Sequence, residues 1–311
     1  MSKNLDYILP KVDRGLLKEE LNKEVFLRPT NKGNNELYAI NHHNSPNVMQ
    51  EIGRLREVTF SMAGGGTGMP VDIDEHDTSE YCYDQLIVYS PEDEEIIGGY
   101  RFIDCSKVIN TKPIELSTAH YFDFSDKFIS DYLPYTIELG RSWVQPNYQP
   151  SVNPRKGIFA LDNLWDGLGA IAIDNPHIKH FFGKVTMYTS YNQEARDAVL
   201  YFMNYYFPDN EKLVTPKGAL GIISPLEDFK AQLNGLSFKD GHRVLASYVK
   251  ARGEVIPPLI NSYMQLSPTM KSFGTALNKE FGEVEETGIM VTIGDIYDEK
   301  KARHMDTYKH S

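Results

Sequence analysis

Apolar residues first fall into a helical rhythm after Ser45-Pro46, a pair that suits an N-cap followed by the first helical position. Val48, Ile52, Leu55, Val58 and Thr59 then recur on one face, which predicts a helix ending before Ala63-Gly64-Gly65-Gly66-Thr67-Gly68. Short alternating runs predict strands at 36–41, 85–89, 96–102, 135–144, 181–188 and 288–295, the second and third forming a hairpin around the turn 90–94. Further helices are expected at 157–173, 193–206, 225–236, 241–252 and 257–266. Strands that alternate with crossover helices give an α/β architecture with a mixed central sheet of six or seven strands. Residues 1–35 are polar and charged and end in a loop signal, so they read as an N-terminal arm. Residues 36–300 read as a single domain with a helical elaboration at about 206–255, followed by a polar tail at 301–311.

Composition narrows the functional classes. The 311 residues carry 32 Lys and Arg against 43 Asp and Glu, a formal charge of −11. Such a chain lacks the basic footprint of a nucleic-acid-binding protein. The 2 cysteines, Cys82 and Cys105, are too few for a disulfide framework, and a cytoplasmic location follows as the expectation. The first residues lack the continuous apolar core of a signal peptide, and no run is long enough for a membrane span. Peripheral contact at the inner membrane stays open.

The chemistry is in charged residues that fall inside apolar strands, where burial is costly without partners. Arg101 follows Ile97-Gly98-Gly99-Tyr100, and Glu138 and Arg141 lie in Ile137-Glu138-Leu139-Gly140-Arg141-Ser142-Trp143-Val144. Regular alternation would put 138 and 141 on opposite faces; a bulge at Gly140 would bring them together. A structural Glu138–Arg141 salt bridge explains the pair equally well. Asp74 and Asp77 offer paired carboxylates or, with His76, metal ligands, but the segment lacks the glycine and terminal Glu of a calcium loop. His177 and His180 have no third ligand in sequence, so no metal is expected. The glycine-rich run 63–68 follows a helix instead of a strand, which favours a mobile lid over a phosphate cradle.

In order, Arg56 with Phe60, Asp74 and Asp77, Gly99-Tyr100-Arg101, Glu138-Leu139-Gly140-Arg141, Leu164-Trp165-Asp166-Gly167-Leu168 and Phe182-Gly183-Lys184-Val185-Thr186 resemble a branch of the GNAT-superfamily N-acyltransferases. That branch holds the bacterial ornithine-lipid and N-acyl amino acid synthases, often labelled hemolysin-like, and the acyl-homoserine-lactone synthases. The resemblance covers about 48–190 well and fades over 190–300. It implies the GNAT fold, with strands 4 and 5 of the sheet splayed apart. The superfamily's phosphate loop is not clean here; Arg155-Lys156-Gly157 is the nearest match.

The resemblance implies transfer of a long-chain acyl group from an acyl carrier protein or acyl-CoA thioester to the amine of an amino acid, glycine or ornithine favoured. The product is an N-acyl amino acid or lyso-aminolipid, and no cofactor is bound permanently. Glu138 is the expected base, with Arg101 and Arg141 beside it as catalytic residues, while Arg56, Asp74, Asp77 and Phe60 surround the amine substrate. Trp143, Val144, Arg155, Lys156, Gly157 and Thr186 are expected on the acyl-donor side. An acidic carrier protein would be met by a local basic face drawn from Arg155, Lys156, Lys179 and Lys184. Two alternatives remain: a lactone-synthase-like enzyme using S-adenosylmethionine, and a non-catalytic acyl-binding module on the same fold. Oligomeric state is not legible.

Overall fold

The computed structural model describes residues 5–157 and 159–309. In chain order the elements are α1 (Arg14–Glu20), β1 (Phe26–Pro29), β2 (Glu36–Ile40), α2 (Pro46–Ala63), α3 (Glu75–Thr78), β3 (Asp84–Ser90), β4 (Glu95–Asp104), β5 (Phe122–Phe124), β6 (Thr136–Val144), α4 (Pro154–Gly157) and α5 (Ala160–Asp174). Then come β7 (His180–Tyr188), α6 (Gln193–Tyr206), β8 (Val214–Pro216), α7 (Glu227–Leu233), α8 (Phe238–Lys250), α9 (Pro258–Met264), β9 (Lys271–Asn278), β10 (Val284–Thr292) and α10 (Asp298–His304). They form two compact units. The first is Met1–Ser117 with Leu133–Lys179 and Asp298–Ser311; the second is Thr118–Tyr132 with His180–Tyr297.

In the first unit, β1, β2, β3, β4 and β6 pair antiparallel in that order. Alternation gives the strands two distinct faces. Leu86 on β3 faces α5, and Gly167 approaches it so closely that a Cβ there would lie 2.6 Å from the Leu86 side chain. Tyr83, Gln85 and Ile87 point the other way, as do Arg101 and Glu138. The supposed N-terminal arm contributes α1 and β1, because Phe26 and Arg28 pair with β2. The tail contributes α10, which lies against α5 where Gly169 has no side chain; a Cβ there would be 2.5 Å from the His304 carbonyl oxygen.

In the second unit, β7, β10 and β9 pair antiparallel, and β5 pairs with β8. β9 was missed by periodicity because Lys271, Gly274 and Asn278 interrupt its apolar run. The helical elaboration braces α6: Gly241, Leu245 and Val249 form the buried stripe of α8, and Phe238 meets Phe202 at 5.8 Å. Among the described residues no helix is long and apolar enough to cross a membrane.

Gly98 and Gly99 of β4 let β6 approach. A Cβ on Gly98 would lie 2.4 Å from the Trp143 carbonyl oxygen, an overlap with backbone that no rotamer relieves. Gly98→Ala is therefore expected to lower stability in urea unfolding by at least about 1–3 kcal/mol. Gly294→Ala, where a Cβ meets nothing within 4 Å, is expected to stay near wild type.

Candidate active site

The site grows from a close approach on α2. Gly53 has no side chain, and a Cβ there would be 2.5 Å from Ile73. The segment carrying Val71, Asp72 and Ile73 therefore lies directly on the helix, and Asp72 donates its N–H to the Gly53 carbonyl at 2.9 Å. Arg56 is one turn further along the same face. Its Nε reaches Asp72 Oδ2 at 3.0 Å, and its Nη1 reaches Asp77 Oδ1 at 3.1 Å. Asp74 and Asp77 are placed by α3, where they form a reciprocal capping box.

Strands β4 and β6 supply the other arginines. Between Gly99 and Arg101 the chain takes two steps on β4, while β6 takes three from Trp143 to Gly140, so β6 bulges at Arg141 and Ser142. Arg141 sits at φ 46°, the left-handed region that non-glycine residues rarely adopt. The bulge turns Arg141 onto the face that carries Arg101. Arg141 Nε donates to Asp72 Oδ2 at 2.9 Å and Arg101 Nη1 donates to both oxygens of Asp74, at 2.7 and 2.8 Å. Arg101 also lies 3.5 Å from Asp77, and Arg141 lies 3.6 Å from Asp74. Gln85 adds a hydrogen bond to Asp77 at 3.0 Å.

Burial alone would push the Asp72 carboxyl up, but Arg141 and Arg56 overcome it and hold the group below the ordinary carboxylate range. Asp77 and Asp74 behave alike: burial opposes ionisation, Arg56 and Arg101 lead at Asp77, and Arg101 and Arg141 lead at Asp74. Burial would lower the Arg56 and Arg101 guanidinium groups, and the same aspartates raise them. One nitrogen of each has no hydrogen-bond partner among the described residues: Arg56 Nη2 and Arg101 Nε.

Glu138 stands beside this network on the same face of β6 and is fully buried. Its Oε1 accepts from Tyr83 Oη and from Ser117 Oγ, both at 2.7 Å, and Tyr83 Oη in turn accepts from the Ser117 N–H at 3.0 Å. Burial first, and the Glu138 charge second, push the Tyr83 phenol well above its ordinary range.

The structure thus brings together Arg56, Asp74, Asp77, Arg101, Arg141 and Glu138, with Phe60 buried on the same helix as Arg56. It adds Asp72, Tyr83, Gln85 and Ser117, which sequence reasoning passed over. Asp72 sat in the acidic run 72–77, but only the packing on Gly53 singles it out. Trp143 is buried at the end of β6. Gln145 donates its N–H to the Ile97 carbonyl at 2.9 Å, so alternation turns the Val144 N–H away from β4.

The expected donor residues other than Arg155 have local partners of their own. Arg155 is exposed, Lys156 is paired with Asp93 at 2.5 Å, and Gly157 packs on the Tyr148–Pro150 backbone. Thr186, in the second unit, donates to Glu286 at 2.9 Å. Lys184 corrects the basic-face expectation: it is half-buried and paired with Glu286 at 2.8 Å. Lys179 lies over the Tyr135 ring. The glycine-rich loop is also tied down where a mobile lid was expected. Buried Glu57 accepts from the Thr67 N–H, Thr67 Oγ1 and Gly68 N–H at 2.9, 2.7 and 2.9 Å.

Residues 55–155, which span the charged network and the bulged strand, match the Acetyltransferase (GNAT) domain family. A glycine N(alpha)-acyltransferase of Bacteroides thetaiotaomicron is 51% identical over 99% of this chain and 92% of its own. The chain belongs to this family of GNAT N-acyltransferases. A second relative, the glycine N(alpha)-acyltransferase of Phocaeicola vulgatus, is 50% identical over 98% of this chain and 94% of its own. A solved CoA-dependent acyl-homoserine lactone synthase, BjaI, bound to SAM and isopentyl-CoA, covers 86% of this chain and 89% of its own, at 12% identity and a TM-score of 0.36. That likeness is too distant to carry an argument. The chain is accordingly an acyltransferase of the GNAT fold, as the resemblance of its motifs implied.

Because the aspartates' carboxyls are held low, their contribution is fully present above the ordinary carboxylate range, near pH 4 and upward. It is lost only as pH falls through the depressed values. Asp72→Asn leaves Arg56 and Arg141 facing a neutral group and is expected to cost about 3–5 kcal/mol at pH 7. Urea unfolding of wild type and variant should show that gap constant down to about pH 4 and closing below it.

Proposed function

We propose that this acyltransferase moves a long-chain fatty acyl group from an acyl carrier protein thioester to the α-amine of glycine, giving an N-acylglycine. The observation that carries this reading is near-full-length identity of 51% to a relative named for glycine. It favours glycine over ornithine. The charged network supports an amino-acid acceptor, because it combines guanidinium donors for a carboxylate with carboxylates for an ammonium group.

In this reading Glu138 is the base that receives a proton from the attacking amine, and Arg101 and Arg141 orient the acceptor beside it. Arg56, Asp74, Asp77 and Phe60 are assigned to the surroundings of the amine substrate, with the two aspartates holding Arg101 and Arg141 in place. The amine nitrogen forms its bond to the thioester carbonyl carbon, the carbon–sulfur bond breaks, and the thiolate leaves with a proton returned from Glu138. The Val144 N–H, not turned toward β4, is the donor we assign to the tetrahedral oxyanion, with Trp143 packed next to it. Arg155 and Lys156 are the residues assigned to the carrier's phosphopantetheine side. Gly157 is assigned with them, and the choice of a carrier protein over CoA rests on the superfamily's phosphate loop not being clean at Arg155-Lys156-Gly157. Thr186 is assigned to the acyl chain.

Purified protein offered palmitoyl-acyl carrier protein and, separately, palmitoyl-CoA with a panel of amino acids should yield N-palmitoylglycine fastest from the carrier protein. Mass spectrometry checks this; a preference for ornithine or for CoA overturns the corresponding half of the reading. Glu138→Gln is expected to lower kcat by about 10²-fold or more with little change in Tm. Unchanged kcat in that variant removes Glu138 from the base role.

A further inference from the structure

Glu138 is fully buried, and its Oε1 is already held by two hydroxyls, Tyr83 Oη and Ser117 Oγ. A base so enclosed receives a proton through one of them. The Tyr83 phenol is itself wholly enclosed and is occupied by the Ser117 N–H. Ser117 Oγ is placed differently. A Cβ built on Gly140 would lie 3.9 Å from it and 3.4 Å from Arg101 Nε, so the three border one small niche over the Gly140 backbone. Gly140 and the bulge residues Arg141 and Ser142 are partly exposed, so the niche lies just beneath the surface, and a ligand reaches its buried groups by small shifts of the bulge. Arg101 Nε is a buried N–H without a hydrogen-bond partner among the described residues, and it borders the same niche. Leaving such a donor unpaired costs free energy that a ligand oxygen would recover.

We infer that the niche over Gly140 seats the acceptor amino acid, its carboxylate on Arg101 Nε and its amine on Ser117 Oγ, and that Ser117 relays the amine proton to Glu138. This rests on the reading of Glu138 as the base. As the nitrogen bonds to the thioester carbonyl carbon, its proton passes to Ser117 Oγ while the serine's own proton passes to Glu138 Oε1. The serine is regenerated unchanged, and Glu138 later returns the proton to the departing thiolate. The short spacing between an α-amine and its carboxylate suits two partners that both lie within 4 Å of one point over Gly140. Gly140 is then a specificity residue: a side chain there would crowd the acceptor against Arg101 and Ser117. No positive φ demands glycine there, and the nearest atoms lie at ordinary contact distance. Alanine at 140 is therefore compatible with the fold.

Steady-state kinetics with palmitoyl-acyl carrier protein and glycine test the relay in wild type, S117A, S117T, G140A and E138Q. S117A is expected to lose at least tenfold in kcat with its KM for the thioester unchanged, and S117T to recover most of the loss. The proton inventory in mixed light and heavy water should be curved for wild type, with two protons in flight, and linear for S117A, a change that a structural role would not produce. G140A should raise KM for glycine at least tenfold. S117A with wild-type kcat and a curved inventory, while E138Q is inactive, overturns the relay and leaves the base reading standing. E138Q at wild-type kcat overturns both. A glycine KM unchanged in G140A overturns the placement of the acceptor.

Discussion

The charged network of the first unit is held together at Asp72. This fully buried carboxylate is gripped by Arg56 from α2 at 3.0 Å and by Arg141 from the β6 bulge at 2.9 Å. It thereby ties the helix to the sheet. Two charges taken from water cost several kcal/mol each, and only close, multiply bonded geometry offsets that. The geometry follows from a close approach and a bulge. Gly53 lets the Asp72 segment lie on the helix, and the register slip beside Gly140 turns Arg141 inward. The left-handed backbone at Arg141 is held in place by the ion pairs it makes possible.

The network also has a balance that sets what it recognises. Arg56, Arg101 and Arg141 face Asp72, Asp74 and Asp77, so the guanidinium charges are matched before any substrate arrives. A substrate carboxylate is then not drawn by surplus positive charge. It is drawn by direction, through the donors that the aspartates leave unused. Such a site suits a zwitterion, which brings no net charge of its own, and it suits an acidic chain whose excess negative charge lies elsewhere.

Much of this was legible in the sequence, for identifiable reasons. Charged residues inside apolar strands stand out because burial is costly, so Arg101, Glu138 and Arg141 were visible, and Gly140 pointed to the bulge. The partners were less visible. Asp72 looked like any member of an acidic run until packing on Gly53 distinguished it. Ser117 and Tyr83 carry no charge, and they meet Glu138 across separations of 21 and 55 residues that local patterns do not encode. Lys184 was read as a surface cation because its partner Glu286 lies 102 positions away. The N-terminal arm and the tail read as polar, yet α1, β1 and α10 fold because tertiary contacts override weak local preference. The glycine-rich run promised mobility, and a single buried carboxylate, Glu57, removes it.

The central claim is that a neutral arginine–aspartate network leaves one directed donor beside Glu138 for an amino-acid acceptor. A crystal structure of the enzyme soaked with glycine tests it most directly. The account predicts glycine over the Gly140 backbone, its carboxylate about 2.9 Å from Arg101 Nε and its nitrogen within hydrogen-bond reach of Ser117 Oγ. Glycine bound elsewhere, or Arg101 Nε paired with a protein group while glycine occupies the site, would contradict it.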